Sequence, residues 1–211
     1  MGNEHDAREI NLEAGGFVKG VALALVTQNQ DPDGLGRVKL RYPWHHDANE
    51  SDWVRIAVPM AGSGRGSVFL PEIGDEVLVA FEREDMRFPY VLGALWNGVD
   101  KPPEDNAAGK NDVRTIKTRK GHVLTFDDGA RGSIALRLND GKQLLIDDDG
   151  LKLDDGAGNR IAIDSKSGAM TLQAAGKLTL KAPLIAIESS GTLSLKASAT
   201  ASLQGQLVTI N

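Results

Sequence analysis

Three groups of residues carry side chains that could do chemistry. The acidic runs Asp127-Asp128, Asp147-Asp148-Asp149 and Asp154-Asp155 could bind calcium, or could supply paired carboxylates for glycoside hydrolysis. A calcium-binding β-roll needs a Gly-Gly-x-Gly-x-Asp pattern repeated in register. Asp154-Asp155-Gly156-Ala157-Gly158-Asn159 comes nearest and departs from it. After Asp164 the aspartates stop while the surrounding repeat continues, so calcium is not the common cause; a single site within Asp147–Asp155 stays open. No cleft-forming segment surrounds these carboxylates for hydrolysis. His45-His46-Asp47 could ligate a metal, but neighbouring residues of a strand point to opposite faces, which favours a solvated loop. His122 has no Ser or Cys nucleophile in a recognisable arrangement beside it. Gly62-Ser63-Gly64-Arg65-Gly66-Ser67 is glycine-rich like a phosphate loop, but it lacks the Gly-Lys-Ser/Thr ending and no helix follows. It reads as a flexible loop. No catalytic, cofactor or metal residue is therefore assigned, and the chain is read as a non-enzyme.

Composition narrows the classes further. The chain has 211 residues, a net charge of -5 and no cysteine, which excludes a disulfide framework and thiolate metal sites. The opening residues have no basic and apolar leader, which reads as no secretory signal. No apolar run nears the ~18 residues of a membrane span. The acidic balance argues against nucleic-acid binding. All ten aromatic residues lie from Phe17 to Phe126, and seven of the eight prolines lie at or before Pro103. That shift marks a boundary between two kinds of architecture.

The aromatic part reads as short strands at Phe17–Thr27, Arg37–Tyr42, Trp53–Val58, Glu76–Glu84 and Tyr90–Trp96. The breaks are Asp31-Pro32-Asp33-Gly34, Pro43, Pro59 and Gly74-Asp75. Five strands with no helical period predict a small barrel of the OB type. Residues 1–16 form an N-terminal arm, 17–99 the barrel, 100–128 a linker and neck, and 129–211 the repeat region.

That last region repeats one phrase: apolar, small or polar, Leu or Ile, polar. Ten repeats start at Ile134, Leu144, Leu151, Ile161, Met170, Leu178, Ile185, Leu193, Ala201 and Val208. Such alternation gives a strand one dry face and one wet face. Gly or Pro at the gaps reads as corners turning in one sense. Each strand contributes about two inward side chains, and no aromatic residue follows Phe126. One chain cannot close a core from so little. The reading is an all-β homotrimer whose three chains wind into an intertwined triple-stranded β-helix. Its aliphatic core comprises Leu136, Ile146, Leu153, Ile163, Leu172, Leu180, Ile187, Leu195, Leu203 and Ile210. At ~4.8 Å per strand the ten repeats predict a needle roughly 50 Å long.

Several ordered phrases then carry a resemblance. They are Asp33-Gly34-Leu35-Gly36-Arg37-Val38-Lys39, Pro71-Glu72-Ile73-Gly74-Asp75-Glu76-Val77-Leu78-Val79, Pro89-Tyr90-Val91-Leu92-Gly93-Ala94-Leu95-Trp96-Asn97-Gly98 and Ile116-Lys117-Thr118-Arg119-Lys120-Gly121-His122-Val123-Leu124. With them the chain resembles the phage baseplate assembly protein V family and the C-terminal part of VgrG-type spikes. The resemblance implies a membrane-piercing central spike at the tip of a contractile tail or injection machine, in a phage, a tailocin or a type VI-like system. It would be made in the cytoplasm without a signal peptide and delivered across a target cell envelope. It also implies a separate hub protein at the barrel end, because VgrG proteins carry a hub domain that this sequence lacks. A muramidase insert has no room within Asp100–Asp128. The iron-binding His-x-His tip of some phage spikes is absent, since the last histidine is His122. A PAAR-type tip protein is expected on Val208, Thr209, Ile210 and Asn211.

Two other readings stay open beside the spike: a calcium-binding β-roll, and a trimeric adhesin-like module. In the adhesin, Arg37, Lys39, Arg41 and Arg55 on an OB face would bind an acidic ligand.

Overall fold

The structure is a computed structural model, and it describes residues 18–45 and 50–210. The chain divides into two compact units, Met1–Lys110 and Asn111–Asn211, each described by itself. The described residues are all-β apart from one turn of 3-10 helix.

The first unit is built on β1 (Val21–Gln28), β2 (Lys39–Arg41), β3 (Arg55–Ile56), the two-residue pair β4 (Ala61–Gly62) and β5 (Arg65–Gly66), β6 (Glu76–Phe81) and β7 (Pro89–Ala94). Five strands make one sheet in the order β2-β1-β6-β7-β3, with β3 parallel to β7 and the other neighbours antiparallel. Val38 and Val54, next to the two edge strands, exchange backbone hydrogen bonds of 3.0 and 2.8 Å. That bridge closes the sheet into a small barrel, the expected solution for short strands that cannot leave edges bare.

The barrel core follows the period of two. Ala22, Ala24 and Val26 of β1 face inward, as do Val77, Val79 and Phe81 of β6. They pack with Val18, Val38, Leu40, Tyr42, Val54 and Val91. The predicted strands are found, with shifted bounds: β1 reaches Gln28 and β7 begins at Pro89. The fourth ends at Phe81, because Arg83 and Glu84 take left-handed backbone angles of 51° and 68° in a 3-10 turn. The third shortens to Arg55–Ile56. The predicted flexible loop at Gly62–Ser67 is instead a tight hairpin, held by the Ser67 N–H donating to the Met60 carbonyl at 3.0 Å. A Cβ on Gly66 would sit 2.7 Å from that carbonyl oxygen, so glycine is required there.

The second unit is a single seven-stranded antiparallel sheet. Its strands are β8 (Val113–Lys117), β9 (Val123–Asp127), β10 (Ser133–Arg137), β11 (Gln143–Asp147), β12 (Gly150–Asp154), β13 (Arg160–Asp164) and β14 (Ala169–Gln173). Each pairs with the next in sequence. Here the expectation of corners turning in one sense is corrected. The first five repeats reverse direction at every gap and form hairpins. The cause lies in the turns. Asp127, Asp140, Asp147, Asp154, Asp155 and Asp164 each accept backbone N–H bonds from residues two to four ahead, between 2.7 and 3.3 Å. Such aspartate turns fold the chain back on itself. Glycines in left-handed backbone complete them, at Gly141, Gly156 and Gly168 with φ of 93°, 71° and 70°.

The remaining repeats, from Leu178 onward, hold no strand among the described residues, and neither does any residue from 174 to 210.

Candidate functional site

The register of the second unit places the apolar side chains in rows. Across the seven strands one row reads Arg114, Phe126, Ile134, Ile146, Leu151, Ile163, Met170. Two residues along each strand a second row reads Ile116, Leu124, Leu136, Leu144, Leu153, Ile161, Leu172. Residues two apart share a face, so the first and third positions of every repeat lie on the same side. The row between them projects from the opposite side: Thr115, Thr125, Ala135, Leu145, Lys152, Ala162, Thr171. One face is therefore almost wholly aliphatic, and its polarity changes only at Arg114, which pairs with Asp128 at 2.8 Å.

This face is open. Leu136, Ile146, Leu153, Ile163 and Leu172 are 40 to 48% exposed. All five belong to the core expected from sequence, and the structure puts them on one face. The core named from sequence held only the third positions; the first-position residues Ile134, Leu144, Leu151, Ile161 and Met170 share the face. The alternation that identifies the third position places them there too. The second row lines an apolar groove that continues to Leu178. Further along, Leu180, Ile187, Leu195, Leu203 and Ile210 are 63 to 86% exposed. Val208 and Ile210 are likewise exposed; Thr209 is too, and Asn211 lies outside the described residues.

Most charged residues lie in the turns at the two ends of the strands, with Lys152 at the centre of β12 and Arg114 inside β8 as exceptions. Asp149, in the β11–β12 turn, takes an ion pair from Arg131 at 2.6 Å and another from Lys166. Those two cations, Lys166 first, hold its carboxyl below the usual range. Lys142 does the same to Asp140, and the side-chain amide of Asn159 to Asp155. Six of the seven aspartates in the acidic runs, all but Asp148, thus serve as turn acceptors or ion-pair partners. Among the described residues no three His, Asp or Glu side chains converge on one point. His122 accepts the Asn139 N–H on Nδ1 at 3.3 Å. His45 stacks edge-on against Trp44, while His46 and Asp47 lie outside the described residues.

The basic residues of the barrel are also engaged. Asp31 accepts both Nε and Nη2 of Arg37 at 2.8 Å, and the backbone N–H groups of Asp33, Leu35 and Arg37. This lowers the Asp31 pKa well below the carboxylate range and raises that of Arg37. Lys39 lies near Glu50 and over the Trp53 ring, and Arg55 donates to the Tyr90 hydroxyl at 2.7 Å. Arg41 is exposed.

Against this geometry the comparisons are informative. Residues 22–96 match the type VI secretion system/phage-baseplate injector OB domain family. The barrel is an OB domain of that family. Over about half of its length the chain is similar to VgrG-type spike proteins. It is 33% identical over 108 residues to the type VI secretion system spike protein VgrG3 of Vibrio cholerae, covering 46% of this chain and 10% of that protein. It is 36% identical over 123 residues to the spike protein VgrG2a of Pseudomonas aeruginosa, covering 54% of this chain and 14% of that protein. A third relative is the actin cross-linking toxin VgrG1 of Vibrio cholerae, 33% identical over 106 residues, again 46% of this chain and 10% of that protein. The match thus spans only a tenth to a seventh of these relatives' own length.

Proposed function

We propose that the chain is a structural, membrane-piercing central spike of a contractile tail or injection machine, acting mechanically as a homotrimer and not as an enzyme. The observation that carries this is the open aliphatic face of the second unit. Monomeric proteins rarely expose contiguous apolar patches of this extent. Strand geometry supports three chains. A five-residue strand is ~17 Å long, and an equilateral triangle of that side has its centre about 5 Å from each edge, half the ~10 Å at which sheets pack face to face. Three such sheets would meet on a common axis with aliphatic side chains filling the middle. Leu136, Ile146, Leu153, Ile163, Leu172, Leu180, Ile187, Leu195, Leu203 and Ile210 would form that trimer core.

In this reading residues 17–99 form the collar, 100–128 the linker and neck, and 129–211 a trimeric β-helical needle. A hub protein would meet the barrel, a PAAR-type tip protein would sit on Val208–Asn211, and the assembly would work in a phage tail or injection-system particle. The relatives' identity as spike proteins of type VI secretion supports the class of machine.

The test is absolute mass by light scattering, with and without a calcium chelator. Three chains of 22.5 kDa are expected under both conditions. Leu195→Asp should abolish that mass, because three unpartnered carboxylates would share one layer at several kcal/mol each. A monomer, or a trimer that falls apart when calcium is removed, overturns the reading.

A further inference from the structure

The barrel carries a cleft that the spike reading leaves unused. On β3 the period of two turns Val54 into the core, 2% exposed, and so turns Trp53 and Arg55 outward on one surface. β7 runs parallel beside it, with Tyr90 level with Arg55. Val91 is buried, so Tyr90 faces outward too. The β6–β7 turn stands next to them and adds Arg87 and Phe88. With Asp52 and Tyr42 these side chains line a cleft of about 300 Å³. Every one of them comes from the same barrel of one chain.

One charge in this cleft is unmatched. Of the four barrel cations that could meet an acidic ligand, Arg37 and Lys39 are engaged by Asp31 and Glu50, and Arg41 is not in the lining. Arg55 is. Its Nη2 donates to the Tyr90 hydroxyl at 2.7 Å, and its guanidinium lies 4.8 Å from the centre of the Tyr90 ring. The Tyr90 hydroxyl in turn donates to Glu82 at 2.6 Å. The fork is thereby held in place, yet it has no carboxylate partner among the described residues. A fixed guanidinium with spare N–H groups is a receptor for carboxylate or phosphate. Asp52 in the same lining repels a doubly charged phosphate more than a singly charged carboxylate. Arg87 adds little attraction, because Asp85 holds it at 2.6 Å. The rings of Trp53, Phe88 and Tyr90 supply flat apolar faces, and Phe88 is 54% exposed. Two further features point to a ligand. The Tyr42 hydroxyl is buried with no hydrogen-bond partner, where buried polar groups are normally bonded. The turn that carries Arg87 and Phe88 also holds Arg83 and Glu84 in left-handed backbone, the kind of strain that collects at ligand clamps.

We propose that the barrel binds a small carboxylate carried on a six-membered ring, its carboxylate held by Arg55 and its ring laid against the neighbouring aromatic side chains. A cleft at the lower end of the size range of ligand pockets takes one such ring rather than a chain of them. Asp52 is an acceptor for hydroxyl groups on that ring, which favours an acidic sugar over an aromatic acid. The site needs only one barrel, whatever the number of chains in the assembly.

The experiment is a ligand-observed NMR titration of the full chain with sodium glucuronate, sodium benzoate and glucose. Glucuronate is expected to bind saturably, and glucose about tenfold more weakly or not at all. Arg55→Gln should weaken glucuronate binding about tenfold or more, through loss of the charge-assisted hydrogen bonds. Arg41→Gln, outside the cleft on the same barrel, should leave it unchanged. Arg55→Lys keeps the charge but not the planar fork; it should fall between, and it carries the test if the glutamine variant melts early. Benzoate bound as tightly as glucuronate, with the same dependence on Arg55, would assign the cleft to an aromatic acid and uphold the ring carboxylate. No saturable binding of either acid overturns the proposal. So do glucose bound as well as glucuronate, binding that the Arg55 variants leave unchanged, and equal losses from Arg41→Gln and Arg55→Gln.

Discussion

Single residues here mostly act by holding backbone in shape. Asp31 gathers five hydrogen bonds from the loop it begins, three of them from Arg37, two through its side chain, so its carboxylate is favoured in the folded state and its pKa is lowered. A group lowered on folding contributes stability above its unfolded pKa, about 3.9, and loses it as pH falls through the folded value. Arg37→Gln removes the largest cause and should move acid unfolding, followed by tryptophan fluorescence, to higher pH. Tyr42 works with the opposite sign. Burial pushes its phenol up to about 12, so its stability is full below the unfolded value near 10 and fades as pH rises toward 12. Its hydroxyl is buried with no hydrogen-bond partner, so Tyr42→Phe should stabilise the barrel by about 1 kcal/mol and remove that alkaline loss in a pH-dependent melt. Gly150 is the least replaceable glycine, because a Cβ there would lie 1.9 Å from the Ile163 carbonyl oxygen at a φ of 140°. Gly150→Ala should lower the melting temperature of the second unit, at a cost of roughly 1–3 kcal/mol. None of these three roles is visible in the sequence, since each depends on a partner brought close by folding.

At the scale of elements the sequence was more legible. Alternation located the barrel strands, because a period of two has one cause, a surface with a dry side, while Pro and Gly located their ends only roughly, the third strand stopping at Ile56 and the fourth at Phe81. The five third-position residues from Leu136 to Leu172 could be assigned to one face for the same reason. What alternation cannot reveal is the direction in which a strand is followed by the next. A hairpin and a same-sense corner both ask for a small or polar gap. The aspartates carry the missing information, and read as possible ligands they pointed away from their use as turn acceptors. The two faces give a paired prediction. Ile146→Asp, on the aliphatic face, should reduce the mass measured by light scattering. Lys152→Asp, on the opposite face of the adjoining strand, should leave it unchanged. Equal losses from both would mean that the assembly does not use this face.

For the whole molecule the question is which force would hold the chains of the proposed assembly together. The side chains on the open face are aliphatic, and the ion pairs of the sheet, Arg131 and Lys166 with Asp149, Lys142 with Asp140, and Arg114 with Asp128, all involve turn residues near the strand ends. Exposed pairs of this kind contribute about 0–1 kcal/mol each. They are screened once the Debye length shrinks to about 3 Å near 1 M salt. Apolar burial is not screened, and excluded salts such as sulfate strengthen it. An assembly built on the aliphatic rows should therefore keep its mass from low salt to about 1 M sodium chloride, a range over which Debye screening becomes nearly complete. Sulfate should raise its melting temperature. If the charged turns held the chains together, the mass would fall as sodium chloride rises, and light scattering across that series separates the two.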